Sequence, residues 1–170
     1  MTLLPDAVAQ LLGQWGPTSA SYPVALADIQ RWAMNVYAPE QPPRLFWDEE
    51  YATGTRWGGI IAPQEFNPFA WAIVDNRPDH EDLSAILKRV GFSVLNGGQA
   101  DKFGVPMRPA DVISARSRLV ECQEKATRFG PTLFLTSENE WTNQNGELVR
   151  SRRSTIVAHR ASAAAKVGAK

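Results

Sequence analysis

The sequence predicts an α+β fold, with long antiparallel strands filling its second half and short helices its first. Three observations predict it. Four β-like segments run between Phe92 and His159, rich in β-branched and aromatic residues. Three sets of turn residues punctuate them: Arg108-Pro109-Ala110-Asp111, Arg128-Phe129-Gly130-Pro131 and Asn143-Gln144-Asn145-Gly146. The last contains Asn-Gly between two long apolar-patterned runs, the strongest short-range signal of a hairpin, because both central turn residues need positive φ.

In chain order, Leu4, Val8, Leu11, Leu12 and Trp15 have helical spacing and predict an accessory helix over residues 1–16, stopped by Gly16-Pro17. Its alternative use is to dock a partner. The main domain then spans 17–159. Ser19–Leu26 reads as a short edge strand, since Pro23 removes a ladder donor. Ile29, Trp32, Ala33, Val36 and Tyr37 predict a second helix, with Asp28 suited to its first turn. Pro39, Pro42 and Pro43 force Ala38–Arg44 into an extended loop. Asp48 is placed to cap another turn of helix before Gly58-Gly59 and Pro63. A long helix from Gln64 to Val90 is what a wrapping sheet would need, yet Pro68 and Pro78 interrupt it at about 3 kcal/mol each. The expectation is a short helix over Gln64–Val74, a turn, and a second helix over Asp82–Val90 closed by Gly91. Residues 160–170 read as a flexible Ala/Lys-rich tail.

Composition narrows the function classes. Lysine and arginine number 18 against 18 acidic residues, so the electrostatic footprint of nucleic-acid binding is missing. One cysteine and two histidines exclude a disulfide framework and a zinc cluster. No apolar run approaches the roughly 20 residues of a membrane span, and no basic region leads the apolar N-terminus, so a cytoplasmic protein without a membrane anchor is expected.

The segments FWDEEYA, GGIIAP, NGG, PMRPAD and RFGPTLFLTSENEWTNQNGELV, in that order between Tyr22 and His159, resemble the MaoC-like dehydratases. The closest resemblance is to the N-terminal-type dehydratase domain also found in fungal fatty-acid synthase. It implies a hotdog fold, an antiparallel sheet wrapped around a central helix, here interrupted, with two such units pairing. It also implies hydration of 2-enoyl thioesters of coenzyme A or acyl carrier protein to (R)-3-hydroxyacyl thioesters, or the reverse. No cofactor is implied, the coenzyme A thioester being the substrate. That chemistry needs a base for the water, an acid for the α-carbon and a donor to the thioester carbonyl.

Relatives carry an Asp and, five positions later, a His for the proton transfers. Anchored on Asp48–Ala52, those positions fall on Gln41 and Phe46, and neither side chain exchanges protons at neutral pH. Glu40 lies one place from the Asp position, without a neighbouring His. His80 and His159 stand elsewhere, His80 reading as solvated in a polar turn and His159 as a surface residue that closes the last strand. The resemblance therefore implies a silent subunit, partnered by a catalytically competent hotdog hydratase and shaping the acyl pocket for a bulky chain such as a steroid side chain. Trp57, Gly59, Ala62, Phe66, Phe69 and Trp71 are the candidate substrate-binding residues, and core packing is the competing use of the rings. Arg128, Arg150, Arg152 and Arg153 either meet coenzyme A phosphates or are solvated at strand ends. Two further functions stay open. One is a non-enzymatic acyl-thioester binding or scaffold module, the other a thioesterase using Glu65.

Overall fold

The structure is a computed structural model that describes residues 3–70 and 83–160. Its centre is a five-stranded antiparallel sheet in the order β1-β3-β4-β5-β2. The strands are β1 (Ser19–Ala20), β2 (Phe92–Phe103), β3 (Ser114–Thr127), β4 (Gly130–Thr142) and β5 (Leu148–Arg160). All three predicted turns join elements where the sequence put them. β5 reaches Arg160, one residue past the expected domain end.

Two turns are clamped to one another. In the Arg108–Asp111 turn, Ala110 takes φ +70° and the Asp111 carboxylate accepts the Arg108 amide at 2.7 Å. The other oxygen of that carboxylate accepts the Gln144 side-chain amide at 2.9 Å, while the Gln144 carbonyl oxygen accepts the Val112 amide. Within the hairpin, Asn143 Oδ1 accepts the amides of Asn145 and Glu147. Asn143 also donates to the Glu147 carboxylate and holds it below the usual carboxylate range.

One face of the sheet carries the core. Residues opposite each other in register share a face, so the pairings define rows across β3, β4, β5 and β2. Ala115, Trp141, Arg150 and Phe103 form one row, and Ser117, Asn139, Arg152 and Asp101 the next. Leu119, Ser137, Ser154 and Gln99 follow, then Leu135 and Ile156. Two apolar clusters occupy the ends of this face. One gathers Ile29, Phe66, Met107, Ile113, Trp141 and Val149; the other gathers Val8, Leu87, Phe92, Leu119, Leu133 and Ala158.

The helices are α1 (Asp6–Ala9), α2 (Leu26–Tyr37), α3 (Glu49–Thr53) and α4 (Leu83–Arg89), with a 3-10 turn at Arg44–Phe46. Asp48 caps α3 through the Tyr51 amide, and that bond together with Arg44 depresses its carboxyl. Gly91, at φ +89°, ends the turn after α4 by donating to Lys88 O at 3.0 Å.

Three expectations need correction. The helix predicted for residues 1–16 shrinks to α1, because the next residues pair with β3 instead. Gly13, at φ +76°, donates to Leu119 O and Gly16 to Ser117 O, so this segment covers an otherwise open strand edge. Trp15 then lies against two guanidinium groups, those of Arg116 and Arg118, at 4.1 and 4.3 Å. The strand at Ser19–Leu26 keeps only two ladder residues; beyond them Ser21 and Val24 still donate to Ile113 and Asp111 carbonyls. Asp28 does stand in the first turn of α2, as expected, where it pairs with Arg31 at 3.3 Å while Ala25 takes the cap position. No helix forms over residues 64–70 of the predicted Gln64–Val74 segment. The Ala62 amide is drawn to Met107 O, and Asn67 Oδ1 accepts the Phe69 amide in a tight turn before Pro68 can join a helix. The rest of that segment, with Pro78 and His80, lies outside the described residues.

Candidate functional site

The two positions that the resemblance assigns to the acid–base pair, Gln41 and Phe46, lie in the α2–α3 connection. Gln41 is exposed in the loop after Pro39, and Glu40 beside it is exposed as well. The Phe46 ring is half-buried and packs on Tyr37 with centroids 5.9 Å apart. Asp48, at the end of the same connection, caps α3 and accepts Arg44 at 2.6 Å. His159, the only described histidine, stacks on Phe129 at 4.8 Å in the β3–β4 turn region. Among the described residues, no imidazole stands beside a carboxylate in this connection.

The candidate pocket residues separate into two groups. Trp57 and Ala62 line a cavity of about 100 Å³ together with Gln64, Val105, Met107 and Arg150. The Trp57 carbonyl accepts the Arg108 guanidinium at 2.7 Å, and the Arg56 guanidinium lies over the indole at 4.5 Å. Gly59 sits beside that Arg108 head group. Phe66, 1% exposed, meets Trp32 edge-on at 5.6 Å, and Phe69 meets Trp141 at 5.3 Å. Those two rings are thus engaged in the first apolar cluster. Trp71 lies outside the described residues.

A larger cavity, about 450 Å³, opens over the middle of the core face. Ser117, Ser137, Asn139 and Ser154 form its floor, with Leu83 and Ile86 of α4 beside them. Sequence reading passed over these residues, yet a signal was present. Along β4 the inner positions read Leu133, Leu135, Ser137, Asn139, Trp141: a core-facing series broken in the middle by two polar residues.

The four arginines read as solvated or phosphate-facing have different environments. Arg152 grips Asp101 through two bonds of 2.7 and 2.8 Å, which lowers the Asp101 carboxyl and raises the guanidinium. Arg128 lies over Phe129, and Arg153 is exposed. Arg150 is buried, so solvation does not describe it: its guanidinium lies 3.5 Å from the Trp141 ring centroid. Burial pushes its affinity for the proton down, and the Arg152 charge adds to that.

The family model described as FAS1-like, dehydratase domain region, matches residues 10–152. The chain belongs to that family. A relative of this FAS1-like dehydratase-region chain is a probable enoyl-CoA hydratase alpha subunit from Thermomonospora curvata, 29% identical over 157 residues. The alignment covers 86% of the chain and 47% of that protein, so the chain spans about half the length of its curated relative.

Among solved structures, the ChsH1-ChsH2 complex from Mycobacterium tuberculosis contains a chain that superposes with a TM-score of 0.72 at 18% identity, covering 92% of this chain and 96% of that one. A MaoC-like dehydratase from Rhodospirillum rubrum gives 0.59 at 20% identity, with 86% and 93% covered. The fold of this dehydratase-region chain is the hotdog, as its motifs implied.

Proposed function

We propose that this chain is the non-catalytic hotdog subunit of a heteromeric (R)-specific 2-enoyl-CoA hydratase or dehydratase, acting in the cytoplasm. The observation that carries the reading is the pair Gln41 and Phe46. One is exposed and the other packed on Tyr37, where an acid–base pair would be needed. In this reading a partner hotdog supplies the base that activates water and the acid that protonates the α-carbon. The present chain closes the pocket around the acyl group.

Two further features support it. Strand β2 is an edge strand, bonded to β5 alone and exposed over most of its length, with Leu95 and Phe103 at 48% and 39% exposure. A 12-residue open edge is a template for pairing with a second sheet. The cavity of about 450 Å³ falls in the size range of small-molecule sites. Its serine and asparagine floor beside Leu83 and Ile86 suits an acyl group with oxygen atoms on a bulky apolar body, as a steroid side-chain thioester has. The relatives named as an alpha subunit and as a two-component complex agree with a chain that works in partnership.

The test of assembly is co-expression with an active hotdog hydratase subunit, followed by light scattering of the purified material. A stoichiometric heteromer is expected. A stable monomer that ignores every such partner at micromolar concentration would overturn the reading.

A further inference from the structure

Arg150 occupies a position that a cation takes at a cost. The register of β5 sets it opposite Trp141 on one side and Phe103 on the other, in the row of the core face nearest the β4–β5 hairpin. Its residue is 7% exposed, and its Nε–H is buried with no acceptor. No hydrogen bond or ion pair reaches this guanidinium from any described residue.

The charged groups around it do not fill the role. The Asp101 carboxylate is held on both oxygens by Arg152, and Arg152 adds like charge. Glu65 is exposed and contributes only a distant favourable field, beyond ion-pair distance. Stacking on Trp141 offsets part of the desolvation but supplies no acceptor to the N–H groups. A buried guanidinium in this state calls for a planar anion.

Beside it lies the cavity of about 100 Å³, walled by Trp57, Ile61, Pro63, Val105 and Met107. Gln64 is the other polar side chain on its wall. The surrounding backbone is already engaged: the amides of Ala62, Gly104 and Val105 donate to Met107, Val149 and Leu148. The space holds roughly three waters at about 30 Å³ each, which suits an acid of two to four carbons.

We propose that Arg150 anchors a binding site for a small carboxylate on a short apolar stem, its oxygens taken by the guanidinium and its stem by the Trp57–Met107 walls. The site is independent of the subunit reading, since it needs neither a partner nor turnover.

The experiment is a thermal-unfolding titration of the chain alone with butyrate, using butyramide and chloride at matched ionic strength as controls. A saturable rise in Tm with butyrate alone is expected. Arg150→Met, which keeps the length and drops the charge, is expected to start from a higher Tm and to lose the butyrate-induced rise. Should that variant fail to fold, the Arg150 Nε–Hε resonance of the unmodified chain gives the reading, shifting with butyrate and not with butyramide. A rise equal in both chains, or no rise and no shifted resonance at any concentration below bulk salt effects, would overturn the proposal.

Discussion

Asp111 and Gln144, 33 residues apart in sequence, share a hydrogen bond of 2.9 Å that ties the turn before β3 to the turn between β4 and β5. The Asp111 side chain is buried and spends its second oxygen on the Arg108 amide. Two of the stretches that carry the resemblance, RPAD and NQNGELV, therefore form a structural clasp. Arg108 of the first turn also donates to the carbonyl of Trp57, which lines the smaller cavity.

Asp111→Ala should cost about 2–3 kcal/mol, because it strands a backbone amide and a side-chain amide. Gln144→Ala should cost about 1 kcal/mol, its site being exposed. The pair should couple by 0.5 kcal/mol or more in a double-mutant cycle, on the order expected for residues in contact. Chemical unfolding of the four chains measures it; strict additivity would show that the clasp carries no energy of its own.

Gly104 has no room for a side chain. A Cβ there would lie 2.0 Å from the Leu148 carbonyl oxygen, a backbone atom that cannot swing aside. Gly104→Ala should therefore fall among the severe substitutions, roughly 4 kcal/mol or beyond. Gly54→Ala is the control: its Cβ would meet nothing nearer than 3.5 Å and its φ is −74°, so a change within about 1 kcal/mol is expected. Equal stabilities of the two variants would contradict the register of β5 against the segment after β2.

The Asp101–Arg152 pair links β2 to β5, and the bond lowers the carboxyl below its ordinary value of 3.8. A carboxyl depressed in the folded state contributes stability above its unfolded pKa and loses it as pH falls through the folded value. Asp101→Asn should thus destabilise by roughly 0.5 kcal/mol at neutral pH. The difference should vanish at pH values well below 3.8, where the native carboxyl is protonated too. Urea midpoints across that range check it; a gap that persists in acid would mean packing, not charge, is responsible.

Cys122 faces the second apolar cluster, and burial, then the Glu124 charge, raises its thiol above the usual value. Iodoacetamide should alkylate it more slowly than free cysteine at mildly alkaline pH. Equal rates would place the thiol in open solvent.

Much of this was legible because it is local. β-Branched and aromatic content between turn residues pointed to the four long strands, and Asn145-Gly146 to the hairpin; the Asp48 cap and the Gly91 stop needed only neighbours in sequence. The N-terminal helix failed because Gly13 and Gly16 find their acceptors on Leu119 and Ser117, about a hundred residues away. The Gln64–Val74 helix failed in its described part for a similar reason, the pull of Met107 on Ala62. At the site, the resemblance alone assigns Gln41 and Phe46 to the acid–base positions, and the proposed silence of the chain rests on that assignment. The buried state of Arg150 could not be read, because only the register of β5 against β4 sets it opposite Trp141. A strand of arginines looks alike from sequence whichever face each one takes.

The central claim is that this chain carries no acid–base machinery for enoyl hydration. Its direct test is the absorbance of a conjugated enoyl-CoA thioester, followed with the purified chain alone and with the chain reconstituted with an active hotdog subunit. Short, long and steroid-type acyl groups are all needed. The account predicts no loss of absorbance with the lone chain on any substrate, and turnover of a bulky substrate by the complex. Turnover by the lone chain, free of contaminating hydratase, would contradict it.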